Sequence, residues 1–161
     1  MTMKRIIEKL MMAVVLIAAA ACSKEEGEPK KYIDPAFVGE WHLTEATSEG
    51  VTINDNLDVY IVLNEDGSFE IYQQNLEEQL RYDKYTGTYY CQSGLMTGVY
   101  SDGKSWGAKY IPSVSDDRLT LKSNDFMEVQ KYKRESLSEE EKQDASIVSV
   151  KSSASVYSPI L

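Results

Sequence analysis

The segment LDVYIVLNEDGSFEIYQQ, residues 57–74, allows little other than an antiparallel hairpin. Leu57, Val59, Ile61 and Leu63 alternate with mostly more polar neighbours, the two-residue period of a strand with one buried face. Asn64-Glu65-Asp66-Gly67 then offers a turn, after which Phe69 and Ile71 resume the period. The same four residues superficially resemble a calcium loop. The remaining spacing and the closing glutamate of such loops are missing, so the turn reading is preferred.

The pattern recurs along the chain. Short β-rich runs separated by turn signals predict eight strands at about 37–47, 57–64, 68–74, 80–91, 95–101, 105–115, 118–123 and 126–134. Every connection is short enough to join antiparallel neighbours except 48–56, and no crossover helix is foreseen, so parallel pairing is not expected. Eight strands laid flat would leave two open edges, whereas closure into a barrel removes both. The eleven tyrosines point the same way. Beyond Arg134 the chain turns acidic and serine-rich. Ser138 with Glu141 forms a capping box for one short helix, Ile147–Val150 carries a weak strand signal, and residues 135–161 are expected to be a flexible or loosely docked tail.

The start of the chain has a different purpose. Lys4, Arg5 and Lys9 precede an uncharged run from Leu10 to Ala21. As a helix that run would be roughly 18 Å long, well short of a ~30 Å hydrocarbon core, so it reads as an export signal. Ala19-Ala20-Ala21-Cys22 resembles the lipobox of bacterial lipoproteins, with Ala19 where leucine is usual. The resemblance implies cleavage before Cys22 and acylation of its thiol, with palmitate among the acyl chains, and so stable anchoring in a membrane. Ser23, Lys24, Glu25 and Glu26 resemble the export tag that sends Bacteroides-group lipoproteins to the outer face of the outer membrane. The other reading is a solvated tether. The expected organisation is therefore a signal peptide at 1–21, an acidic tether at 22–36, a barrel at 37–134 and the tail at 135–161.

Charge narrows the function classes. The formal net charge of −9 moves to near −11 once Lys4, Arg5, Glu8 and Lys9 are removed with the signal. Such acidity argues against nucleic acid as a partner. With Cys22 acylated, Cys91 has no cysteine to pair with and reads as a small buried residue at a strand end. His42 is the only histidine and no His/Cys cluster exists, so neither a metal nor a cofactor is expected. Glu40, Glu45, Glu70 and Glu128 could place two carboxyl groups at glycosidase spacing, but so many acids will do that by chance. No catalytic residue is assigned, and no enzymatic activity is expected.

Two places carry a family likeness. Gly39 and Trp41 in VGEW resemble the Gly-x-Trp signature near the start of lipocalins. The ordered series NEDGSFE, YTGTYY, GVYSDGKSWG and DRLTLKS resembles the lipocalin-like domain of small Bacteroides-group lipoproteins. The resemblance covers roughly residues 37–134. It implies an all-β, eight-stranded antiparallel up-and-down barrel, sometimes partly open, with Gly39 and Trp41 at its floor and a cavity at the other end.

Short strands and many tyrosines favour a filled interior. The aromatic residues are either ordinary barrel packing or a cup that stacks apolar rings or sugars. Tyr89, Trp106 and Tyr110 are the candidates to line an open end, with burial expected to be intermediate. The preferred function is a cell-surface binding module for a small apolar or amphipathic molecule or a glycan fragment. The alternative is a filled barrel that docks on another envelope protein.

Overall fold

A computed structural model describes residues 28–151 and 158–161. The signal at 1–21, Cys22 and the tag residues Ser23, Lys24, Glu25 and Glu26 lie outside the described residues.

Ten strands follow in chain order among the described residues: β1 (Gly39–Ser48), β2 (Val51–Thr52), β3 (Leu57–Leu63), β4 (Ser68–Asn75), β5 (Asp83–Gln92), β6 (Leu95–Tyr100), β7 (Tyr110–Ser115), β8 (Arg118–Ser123), β9 (Glu128–Arg134) and β10 (Ser146–Ile147). The hydrogen-bonded order β5-β4-β3-β1-β9-β8-β7-β6 is closed by pairing of β6 back onto β5, so eight antiparallel strands form a barrel. Its seam is β6–β7, where only Met96 and Tyr110 pair in register. The 105–115 run thus yields a shorter strand than its sequence implies, because residues 105–109 fold back to place Trp106 over Gly98. A side chain at residue 98 would occupy the space of that indole.

Side-chain parity places the core. Val59, Ile61, Leu63, Phe69 and Ile71 all face inward and are fully buried. They join Trp41, Tyr85, Tyr100, Tyr110 and Tyr132 in one cluster, so aromatic rings fill much of the interior. Each buried aliphatic or aromatic side chain contributes about 1.5–3 kcal/mol relative to exposure.

The antiparallel register separates two ends. Gly39 pairs with Leu63, and the 64–67 turn and the Tyr32–Cys91 bridge lie at this closed end. Trp41 is fully buried here, its indole N–H donating to the Phe37 carbonyl at 2.9 Å. The Arg134 guanidinium stacks 4.1 Å from the centre of the indole. Gly39, at φ 143°, leaves the space that the guanidinium needs. At the other end Ser48 pairs with Glu128 and Asn75 with Leu57, so residues 49–56, 76–82, 101–109 and 124–127 form the rim of the mouth.

In the region expected to be a flexible or loosely docked tail, the described residues after Arg134 pack on the barrel. Glu135 to Ala145 runs over the outside of β1, β3 and β4, burying Leu137 against Tyr72 and Tyr82. Its short helix α1 (Glu139–Asp144) is capped by Ser138, whose hydroxyl accepts the Glu141 amide, and Lys142 reaches Glu40 at 3.0 Å. Tyr72 faces outward yet is buried, because this strap covers it. β10 then pairs with β5 in parallel at Asp83 and Lys84, a pairing the short connections gave no reason to expect. The strand can lie there because β6 reaches only as far as Gly87, leaving that edge of β5 open.

Candidate functional site

The mouth is where the interior turns polar. In β4 the inward positions run Phe69, Ile71, Gln73, and in β9 they run Gln130, Tyr132. Gln73 and Gln130 are therefore carried into the barrel by strand parity, and both are buried. A buried carboxamide must find partners or leave costly unsatisfied groups.

Those partners come from the segment Ser158–Leu161. Gln73 Nε2 donates to the Ser158 carbonyl at 3.0 Å, and Gln73 Oε1 accepts the Ile160 amide at 3.0 Å. Gln130 Nε2 donates to the Ile160 carbonyl at 3.0 Å, while its Oε1 accepts the Tyr132 hydroxyl at 2.6 Å. The Tyr100 hydroxyl donates to the Leu161 main-chain oxygen, and the Leu161 side chain is buried in the main core. The segment thus sits inside the barrel mouth, held by side chains of β4, β6 and β9.

Upstream of it the chain is pinned at the rim. Asp102, in the β6–β7 turn, accepts the Ser149 hydroxyl at 2.7 Å and the Lys151 amide at 2.8 Å. Together with the Lys104 amide, which is the largest influence, these donors hold its carboxyl down to about 2. A groove of about 340 Å³ lies beside this pin, with Tyr85, Tyr100, Val148 and Val150 among its walls. Burial pushes the phenols of Tyr100, Tyr110 and Tyr132 well up.

The three residues expected to line an open end are more buried than foreseen. Tyr89 is in the core at the closed end, donating to the Asn64 carbonyl at 3.0 Å, and burial pushes its phenol up to about 12. Trp106 packs edge-on against Phe69 and Tyr110, with ring centres 5.3 and 6.2 Å away. Tyr110 is almost inaccessible. Their expected intermediate burial is thus corrected, because Tyr89 is packed into the closed end and the fold-back of residues 105–109 seals in Trp106 beside Tyr110. Trp106 still borders an outer groove of about 470 Å³, and its indole N–H has no acceptor among the described residues. Gln73, Gln130 and Asp102 were not singled out in the sequence. For Gln73 and Gln130, a polar residue at an inward strand position was the available signal.

On the outer wall His42 lies between two carboxylates, 2.6 Å from Asp58 and 2.5 Å from Glu135, and stacks on Tyr60 at 4.1 Å. Tyr82 donates to the second Asp58 oxygen at 2.6 Å. This network fastens the strap to the barrel. No group of metal-ligating side chains occurs among the described residues.

The sequence signature of the family described as "Lipocalin-like domain" matches residues 37–121. The chain belongs to that family. Among solved structures it is similar to the lipoprotein YedD from Klebsiella pneumoniae subsp. pneumoniae MGH 78578, at 13% identity and a TM-score of 0.46, over 74% of this chain and 89% of that one. It is also similar to the wild-type fluorescent protein UnaG, at 15% identity and a TM-score of 0.35, over 62% of this chain and 97% of that one. No curated protein matches. The lipocalin-like barrel of this family accounts for the closed meander, and no helix among the described residues is long and apolar enough to cross a membrane.

Proposed function

We propose that this lipocalin-like domain is a non-enzymatic binding module, lipid-anchored through Cys22, whose mouth takes a small apolar or amphipathic molecule or a glycan fragment. The observation that carries the reading is the pair of buried carboxamides, Gln73 and Gln130, set in an otherwise aromatic and aliphatic interior. A few placed polar groups in an apolar concavity are the usual composition of a ligand site. A groove of about 340 Å³ with Tyr85 and Tyr100 among its walls lies beside the rim.

The anchor fits this geometry. Pro29 is held by Gln92 at the closed end, and the chain from Cys22 to Pro29 spans at most roughly 25 Å. An acylated Cys22 would hold the closed end toward the membrane and leave the mouth facing away. With the tag-like residues Ser23, Lys24, Glu25 and Glu26, as in Bacteroides-group lipoproteins, that face would be the cell exterior.

Native mass spectrometry of the full chain, extracted from its own membrane in mild detergent, tests the reading. The expected result is a retained small-molecule mass, diminished by Gln130→Leu. A bare chain that also fails to bind apolar dyes would overturn it. One observation favours a second reading, docking on an envelope protein. Val51, Ile53, Leu76, Leu80, Phe126 and Met127 are all exposed, and all lie in three of the four rim connections of the mouth. A co-purifying protein lost on Phe126→Ser would support that alternative.

A further inference from the structure

None of residues 158–161 belongs to a strand, and among the described residues the hydrogen bonds that hold them all come from barrel side chains. They are docked as a ligand is docked, and are not woven into the sheet. We propose that the barrel mouth is a receptor for a peptide segment, with Ser158–Leu161 as its tethered resident, displaceable by a peptide of the same kind supplied in trans. The proposal rests on the reading of the barrel as a binding module and names one ligand class for it.

The chemistry of recognition is set by the carboxamides. Each presents an acceptor oxygen and a donor nitrogen. The orientation of Gln73 is decided by its partners, since the Ile160 amide needs an acceptor and the Ser158 carbonyl a donor. The two groups it bonds flank Pro159, the one residue of the segment with no N–H to offer. Gln130 is oriented in the same way, because the Ile160 carbonyl requires its nitrogen and the Tyr132 hydroxyl takes its oxygen. Ile160 therefore has both its main-chain groups bonded by glutamine side chains. Backbone reading of this kind tolerates varied side chains. Selectivity falls on the buried aliphatic position, filled here by Leu161, and on the proline two residues before it.

Tethering explains why the site is filled in the free chain. A segment covalently linked to its receptor acts at a high effective concentration, and the Asp102 pin at Ser149 and Lys151 shortens the link further. A free ligand meets only the fraction of molecules in which the segment has left, so its apparent affinity is reduced by that fraction.

The experiment uses the full chain and two probes, a fluorescently labelled synthetic peptide of residues 152–161 and the apolar dye anilinonaphthalene sulfonate. Ile160→Pro removes the amide that Gln73 accepts, and Leu161→Asp puts a charge at the buried position; neither alters a barrel residue. The double variant is expected to bind the labelled peptide at least about tenfold more tightly than the unaltered chain. Adding Gln73→Leu should abolish that gain. Hydrogen exchange should show the Ile160 amide protected in the unaltered chain and unprotected in the Leu161→Asp single variant, which keeps that amide. Failure of the folded double variant to bind the peptide overturns the proposal. Persistent protection overturns it too, since the contacts named would not be what holds the segment. Dye binding without peptide binding overturns this inference and leaves the binding-module reading standing. Peptide binding without dye binding supports the inference and removes the small apolar ligand from the broader reading.

Discussion

The hydroxyl of Tyr132 donates to Oε1 of Gln130 at 2.6 Å, between two almost inaccessible residues that share the inward face of β9. That bond turns the other end of the carboxamide toward Ile160 and so prepares the mouth for a carbonyl group. Gln130→Leu should therefore cost about 1–3 kcal/mol, because it strands a buried hydroxyl. Adding Tyr132→Phe should recover much of the loss. Denaturant unfolding of both single variants and the double variant gives the coupling directly. Simple additivity would mean the two groups are not paired.

At the closed end, Trp41→Ala should destabilise the barrel by about 3–5 kcal/mol, the range for truncating a buried large aromatic. Arg134→Ala, which removes the cation stacked on that indole, should cost about 0.5–2 kcal/mol. Chemical denaturation monitored by tryptophan emission reports both. A loss below about 1 kcal/mol for Trp41→Ala would mean that the indole does not plug this end.

Alkaline titration should unfold the protein late and cooperatively. Burial raises the phenols of Tyr60 and Tyr89 to about 12, and those of Tyr100, Tyr110 and Tyr132 also upward. A raised phenol favours the protonated form in the folded state. Its stabilisation is complete below the unfolded value of about 10 and is lost as pH climbs through 12. Tyrosinate absorbance should rise in an early exposed phase and a late phase that coincides with loss of circular dichroism. Ionisation of all eleven tyrosines near pH 10 with the fold intact would contradict this burial.

Asp102 should make the rim acid-sensitive. Its carboxyl is lowered to about 2 by the Lys104 amide, the Ser149 hydroxyl and the Lys151 amide. A depressed carboxyl contributes above the unfolded value of about 4, and the contribution is lost as pH falls from there through 2. The amide resonances of Ser149 and Lys151 should shift toward unstructured positions in that window while strand resonances stay in place. Asp102→Ala should produce the same change at neutral pH.

Cys22→Ser should abolish labelling by fatty-acid analogues and release the protein from membranes. A variant that still sediments with membranes after a carbonate wash would leave the proposed lipid anchor without support.

Period-two alternation was enough to place the barrel strands, because a strand with one buried face repeats its burial every second residue. It located Val59, Ile61, Leu63, Phe69 and Ile71 in the core without reference to any distant residue. The same alternation carries Gln73 inward, although the sequence reading did not single it out, and alternation does not say what satisfies it. Its partner Ile160 is 87 positions away, in a stretch with no periodicity of its own. The outward Tyr72 is buried only because Leu137 lies over it, and β10 pairs with β5 only where β6 stops short. Trp106 sealed itself against Gly98 through a local fold-back that parity does not encode. Local pattern determines which face of a strand seeks burial. What covers that face, and what answers a buried amide, is settled by long-range contacts, whose closure entropy is met only once the whole barrel has formed.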